Sequence, residues 1–244
     1  MIGIKSDQGN VRTLNEDYAE FYQDENYTIC VVADGMGGHN AGEIASKTAS
    51  KALIKYIREN MDLNLSKEVL IKSIKHANLK VYNLSHCSET YVGMGTTLVA
   101  SLVTKYKTLV ANIGDSACYA IKGKEIKKIT KDHSLVQELL DAGSISPEQA
   151  INHPKKNVIT RAIGTEEEVA IDVFEINNEE YDYFLLCSDG LTNEVNLEEI
   201  LSFNIEEDQL QIICEKLVEE AKANGGRDNI TVMLFGGGVQ IWME

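Results

Sequence analysis

Three apolar runs in this chain stop in the same way, and that shared ending limits the folds open to it. Tyr27 to Ala33 leads into Asp34 and Gly35, Phe184 to Cys187 into Ser188, Asp189 and Gly190, and Val110 to Ile113 into Gly114, Asp115 and Ser116. Asp228 stands immediately before the run Asn229 to Phe235, behind two glycines, and Asp17 precedes a strand-like run from a loop. A single Asp-Gly pair after a strand is an ordinary turn signal. The same ending used repeatedly points instead to strand ends that converge. Carboxylates gathered there raise one another's pKa unless cations neutralise them, so two bridging metals are expected. Asp34 and the Gly35 carbonyl are hard oxygen donors, of the kind that suits Mg²⁺ or Mn²⁺.

The runs between these endings read as strands and helices in alternating blocks. Ile2 to Lys5, Tyr18 to Tyr22 and Tyr27 to Ala33 read as a strand meander, followed by helices over Ala41 to Arg58 and from about Lys67 to Leu84, where apolar residues recur at helical spacing. Thr96 to Thr104, Thr108 to Asn112, Ala117 to Ile121 and Glu125 to Ile129 read as four strands of one antiparallel sheet. Ser134 to Thr165 holds a short helix and both prolines and reads as an excursion from the core. Strands return at Val169 to Ile176, Tyr183 to Ser188 and Asn229 to Phe235, with helices within Leu197 to Phe203 and Asp208 to Ala223. Such blocks predict an α+β architecture of sheets covered by helices.

With 244 residues, 43% of them hydrophobic, and no linker-like stretch, the chain is expected to form one domain over residues 1–244. Acidic residues outnumber basic ones 38 to 23, and the formal charge of −15 argues against nucleic acid or an anionic membrane as partner. Much of that excess lies in solvent-facing helical runs. Five cysteines without C-x-x-C spacing suit reduced thiols in the cytoplasm, and the first ten residues lack the pattern of an export signal.

An all-oxygen shell around two hard cations activates water and clamps the oxygens of a phosphoryl group under in-line attack, which predicts hydrolysis of a phosphate ester. An arginine is then needed to grip the remaining phosphate oxygens in a planar fork, and Arg12, five residues before Asp17, is the candidate. Cysteine-nucleophile, aspartyl-nucleophile and P-loop signatures are absent from the sequence.

The ordered set RTLNED, VADGMGGHNAGEIAS, GMGTTLVA, ANIGDS, TKDHSLV, NVITRAIGT, LLCSDGL and GGRDNIT resembles the metal-dependent protein phosphatases of the PP2C family, bacterial Ser/Thr phosphatases in particular. The resemblance implies a four-layer α-β-β-α sandwich of two antiparallel β-sheets flanked by helix pairs, with a flap-like insert at about 134–165. It implies a phosphoserine/phosphothreonine phosphatase acting by direct attack of water at a binuclear Mn²⁺ or Mg²⁺ centre, with a third, weaker ion. Asp34 is then the carboxylate bridging both metals, the Gly35 carbonyl binds one of them, and Asp189 and Asp228 bind the other. Asp17 binds directly or through water, and Asp115 serves the third ion. Arg12 contacts the substrate phosphate, His39 protonates the leaving alcohol, and Thr96, Thr97 and Asn229 support the ligands. Expected partners are phosphorylated proteins, including a cognate Ser/Thr kinase, and the enzyme is expected to be a monomer.

Ala117 departs from the family's GDSR, where an arginine follows the serine. Two rivals stay open at this point. One is a catalytically silent member that only binds phosphoproteins, and the other is a phosphohydrolase of nucleotides or sugar phosphates.

Overall fold

The central strands carry apolar residues on both faces, and the fold is the arrangement that buries both. The computed structural model describes residues 1–37, 41–151, 153–203 and 205–237. Its elements run β1 (Ile2–Asp7), β2 (Asp17–Gln23), β3 (Tyr27–Met36), α1 (Ala41–Asn60), α2 (Ser66–Ser85), β4 (Gly95–Thr96), β5 (Leu98–Thr104), β6 (Lys107–Ile113), β7 (Ala117–Lys122) and β8 (Glu125–Lys128). There follow α3 (Leu135–Asp141), α4 (Pro147–Ile151), β9 (Asp172–Asn177), β10 (Tyr183–Cys187), α5 (Asp189–Thr192), α6 (Leu197–Ser202), α7 (Leu210–Ala223) and β11 (Ile230–Gly236).

Two antiparallel sheets result, with orders β1-β11-β10-β7-β8 and β2-β3-β5-β6-β9; β4 pairs with the end of β3. Alternate residues of each strand serve different cores. Ile29, Val31, Leu98 and Ala100 pack under α1 and α2, while Leu185, Val232 and Leu234 pack under α7. The intervening positions Cys30, Val32, Val99, Phe184, Leu186 and Met233 meet between the sheets. Three apolar layers separating four structural ones make an α-β-β-α sandwich. Burial on both faces also explains why β5 reads as one continuous apolar run, a pattern otherwise typical of strands covered on each side.

The structure corrects the sheet assignment read from the sequence. Tyr18 to Tyr22 and Tyr27 to Ala33 pair with each other, but β1 joins the opposite sheet beside β11. Likewise β5 and β6 belong to one sheet and β7 and β8 to the other. The chain crosses between sheets at Gly114 to Ser116, where Gly114 has φ +100°. A left-handed backbone there aims β7 away from β6.

Strand β3 also runs further than expected. Asp34 does not end it, because Gly35 and Met36 pair with Thr96 and Gly95 of β4. Gly35 is present for close approach and not for a turn, since a Cβ would overlap the Gly42 backbone of α1 and the Glu16 carbonyl. The run Val169 to Ile171 precedes β9 as coil that packs Val169 and Ile171 on the α1/α2 core. The excursion 134–165 contains α3 and α4 and is closed by isolated bridges, Ser134 with Ile159 and Thr96 with Ile163. Among the described residues, no helix is long and apolar enough to cross a membrane.

Candidate metal centre

Asp17 and Asp34 are direct partners across the β2–β3 ladder. Like charges placed opposite each other destabilise a sheet, so the pairing needs a reason other than folding. Asp34 follows Val32 and Cys30 on the face turned toward the other sheet. From that sheet come Asp189, at the start of α5, and Asp228, two residues before β11; Asp115 arrives from the crossover between β6 and β7. Asp34, Asp115, Asp189 and Asp228 line one cleft of about 240 Å³, together with Arg12, Glu16, Gly35, Thr97 and Asn229. Asp17 lies beneath it, 6% exposed.

The supporting contacts fix these groups from the backbone outward. Asp34 N–H donates to Thr97 Oγ1 at 2.9 Å, and its carbonyl accepts from Thr96 Oγ1 and Thr97 N–H, each at 2.9 Å. Thr97 Oγ1 also meets Ser116 Oγ at 2.7 Å, which ties the Asp34 strand to the residue after Asp115. Asn229 accepts from Glu16 N–H at 2.9 Å and donates to the carbonyls of Gln8 and Leu14, so it holds both ends of the loop carrying Arg12. Arg12 Nη2 pairs with Asp228 Oδ2 at 2.8 Å.

Burial pushes Asp17 up to about 7, against bonds from Ser188 and Thr231 that pull the other way, and Asp189 and Asp228 add repulsion. Asp115 is likewise pushed up to about 7, by burial first and then by the Asp189 charge. Asp34 is raised well above the carboxylate range by burial and by its four acidic neighbours, and Asp189 is raised by burial and Asp228. Two buried oxygens, Asp17 Oδ1 and Asp189 Oδ1, have no hydrogen-bond partner. Orphaned carboxylate oxygens in a cluster of mutually repelling acids are what a bound cation would satisfy. Among the described residues no three such side chains close as a finished shell by themselves. The donor set is oxygen alone, matching hard divalent cations and fitting poorly with zinc or copper.

Of the residues named from the sequence, Arg12, Asp17, Asp34, Gly35, Asp115, Asp189 and Asp228 are brought to this cleft or its floor. His39 lies outside the described residues. Ala117 is 3% exposed and packs in the α7-side core, paired with Cys187.

Sequence reasoning gave no role to several residues that belong here. Glu16 lines the cleft with its carboxyl raised by burial. Ser188 Oγ donates to Asp17 Oδ2 at 2.7 Å. Asn193 Nδ2 donates to Asp189 Oδ2 at 3.0 Å, and Lys156 of the excursion donates to Asn193 Oδ1 at 3.1 Å. Asn157 and Ile159 bring the excursion to the cleft wall. Asn193 follows Asp189 by one helical turn, a spacing that could have marked it.

Fold and cleft together define a layered α+β protein with an acidic site fitted to hard divalent cations. Comparison with known proteins narrows the class. The family described as Protein phosphatase 2C matches residues 9–225. The chain is 40% identical to the serine/threonine phosphatase Stp of Listeria welshimeri, over 95% of this chain and 93% of that one. It is 41% identical to the protein phosphatase PhpP of Streptococcus pneumoniae, over 96% of each. Among solved structures, the serine/threonine phosphatase Stp1 of Staphylococcus aureus superposes with a TM-score of 0.89 at 36% identity, covering 96% of this chain and 93% of that one. The Mycobacterium tuberculosis phosphatase PstP gives 0.86 at 34%, covering 96% and 97%. The chain belongs to the protein phosphatase 2C family. It is thus a protein phosphatase of a family that in general depends on Mn²⁺ or Mg²⁺, and its substrates are phosphoproteins.

Proposed function

We propose that this protein hydrolyses phosphoserine and phosphothreonine in proteins at a binuclear Mn²⁺ or Mg²⁺ centre, opposing a Ser/Thr kinase of the same cell. The observation that carries the reading is the meeting of Asp17, Asp34, Asp189 and Asp228 from both sheets, with two buried oxygens left over. The names of the relatives in Listeria and Staphylococcus agree with it.

In this reading Asp34, the Gly35 carbonyl, Asp189 and Asp228 would hold two ions, with Asp34 serving both. Asp17 would add a direct or water-mediated contact, and Asp115 would hold a third ion more loosely. Bound there, such ions lower the pKa of water and neutralise charge building on phosphoryl oxygens. The chain's own groups do the rest. Arg12 is half-exposed and paired with Asp228, so its fork can turn to the phosphate and orient it for in-line attack. Thr96, Thr97 and Asn229 keep the carboxylates and the Arg12 loop from rearranging as charge shifts. His39 is the proposed proton donor to the leaving alcohol.

The single catalytic domain then uses residues 134–165 as a flap-like insert at the cleft wall, and the chain works as a monomer in the cytoplasm. Five free cysteines, four of them buried, agree with a reducing compartment. Among the described residues, the cleft lining includes no aromatic side chain on which a nucleobase would stack.

Asp34→Asn or Asp189→Asn is expected to abolish Mn²⁺-dependent hydrolysis of phosphoserine and phosphothreonine peptides, with circular dichroism unchanged. Excess chelator should do the same to the unmodified enzyme. Near-normal turnover in either variant would sink the two-metal reading, and faster turnover of nucleotides than of phosphopeptides would move the substrate class.

A further inference from the structure

His133 is buried, 7% exposed, and sits where the 134–165 excursion leaves the core. Its backbone N–H donates to the Gly114 carbonyl at 2.9 Å, and its ring Nδ1 accepts the Gly114 N–H at 3.0 Å. One residue thereby satisfies both main-chain groups of the glycine that precedes Asp115. That glycine is at φ +100°, and a Cβ on it would crowd Thr97, so the turn is a demanding one and its aim depends on what holds it. Asn112 Nδ2 adds a longer bond to the same carbonyl, at 3.2 Å.

The ring's chemistry follows from these contacts. A backbone N–H pointing at Nδ1 requires a lone pair there, which places the ring proton on Nε2. Nε2 faces Asp172 Oδ2 at 3.2 Å, and the other oxygen of Asp172 accepts from Arg161 Nη1 at 2.9 Å. Arg161 Nη1 also lies 2.9 Å from Nε2. With the ring proton on Nε2 both atoms are donors, so that approach is not itself a hydrogen bond, and it is the Asp172 carboxylate between them that holds the guanidinium and the imidazole together. Burial lowers the His133 pKa, which keeps the ring neutral and the Nδ1 lone pair in place. The His133 carbonyl accepts from Thr160 N–H at 2.9 Å, and Ser134 bridges Ile159, so the same residue closes the base of the excursion.

We infer that His133 is a positioning residue for the phosphatase reaction, which holds both main-chain groups of Gly114, sets the aim of the Asp115 carboxylate into the cleft, and ties that aim to the base of the 134–165 excursion. The inference rests on the reading of Asp115 as a cation-holding carboxylate. It assigns His133 no contact with substrate. Its two ring nitrogens have separable jobs, Nδ1 toward the site and Nε2 toward Asp172 and Arg161.

The test uses that separation in the full chain. His133→Asn sets an amide oxygen near the place of Nδ1 and loses the Asp172 arm. His133→Gln reaches toward Nε2 and loses the Gly114 bond, and His133→Ala loses both. Each is followed by calorimetric Mn²⁺ titration, by thermal unfolding, and by kcat and KM on a phosphopeptide. In the Ala and Gln variants the weakest Mn²⁺ site should lose affinity by about 10- to 100-fold, the range seen when a group orienting a metal ligand is removed. kcat at fixed Mn²⁺ should fall while KM stays within about twofold, and Asn should restore most of both losses.

Equal defects in Asn and Gln that follow the loss of thermal stability would overturn the inference and leave His133 a packing residue. So would an unchanged Mn²⁺ titration in the Ala variant. Asp115→Asn run beside them separates the two readings. If it leaves every Mn²⁺ site intact, the assignment of Asp115 fails and the inference with it; if it weakens a site that His133→Ala does not, only the role of His133 fails.

Discussion

Arg12 shows how little a single contact decides until its exposure is weighed. Its guanidinium meets Asp228 at 2.8 Å, but the two side chains are 50% and 25% exposed. An ion pair that open to water contributes about 1 kcal/mol or less to stability. Arg12→Ala is therefore expected to leave thermal unfolding nearly unchanged. A hydrogen bond to a charged group supplies roughly 1.5–3 kcal/mol where it does form, so losing the phosphate grip should raise KM for a phosphopeptide by about 10- to 100-fold. Removing a clamp that grips substrate and transition state alike lowers affinity without slowing turnover. Steady-state kinetics checks this: a fall in kcat at constant KM would put Arg12 on the transition state instead. Asp17 is the opposite kind of residue. It is buried, one of its oxygens is held by Ser188, and the other is orphaned, so nearly everything it contributes depends on what fills the cleft.

Element packing explains why certain positions between the carboxylates admit glycine only. At Gly190, in the first turn of α5, a Cβ would overlap the Asn229 carbonyl and touch Asp228. Gly190→Ala should push α5 off β11, at about 1–3 kcal/mol for overpacking. It should also shift Asn229, whose side chain secures Glu16, Gln8 and Leu14, and so disturb the Arg12 loop. A lower melting temperature together with weaker Mn²⁺ binding is the expected result; a variant matching the parent in both would mean that the β10–α5–β11 corner yields more easily than its contacts indicate. These glycines were also what made the site legible. The repeated apolar run ending at Asp and Gly announced the carboxylates, and helical spacing found α1, α2 and α7 within a few residues. Strand partnership was not legible. With both faces of β3, β5 and β6 buried, the alternation that would assign a strand to a layer is erased, and between β6 and β7 it is the left-handed turn at Gly114 that marks the change of sheet. His133 was visible in TKDHS without a role, because Gly114 lies 19 residues before it and Arg161 and Asp172 lie well beyond it. Asn193 was missed for a simpler reason, that an Asn just past the end of a short helix reads as surface.

At the scale of the whole molecule, the cleft is the place where the two sheets end against each other, and the chain has gathered part of its −15 charge there. Asp17 and Asp34 come from one sheet, Asp189 and Asp228 from the other, so cations bound among them would cross-link the sandwich. Stability should therefore depend on metal and pH jointly. Burial and mutual repulsion push Asp17 and Asp115 up to about 7 in the folded protein, while in the unfolded chain both return to the ordinary aspartate value of 3.8. Between those values the folded state binds more protons than the unfolded one, and stability falls wherever that is so as pH rises. The contribution of these groups is complete below about 4 and is lost as pH climbs through about 7. In excess chelator the melting temperature should accordingly drop between pH 5 and pH 8. Saturating Mn²⁺ should reverse the slope, because an ion that binds only the folded, deprotonated cluster adds stability in proportion to the logarithm of its concentration over its dissociation constant and competes with protons for the same oxygens. Thermal unfolding across that pH range with chelator and with Mn²⁺ checks both arms. Parallel curves would show that the carboxylates are neutralised from within the protein, leaving the cleft no need of a cation.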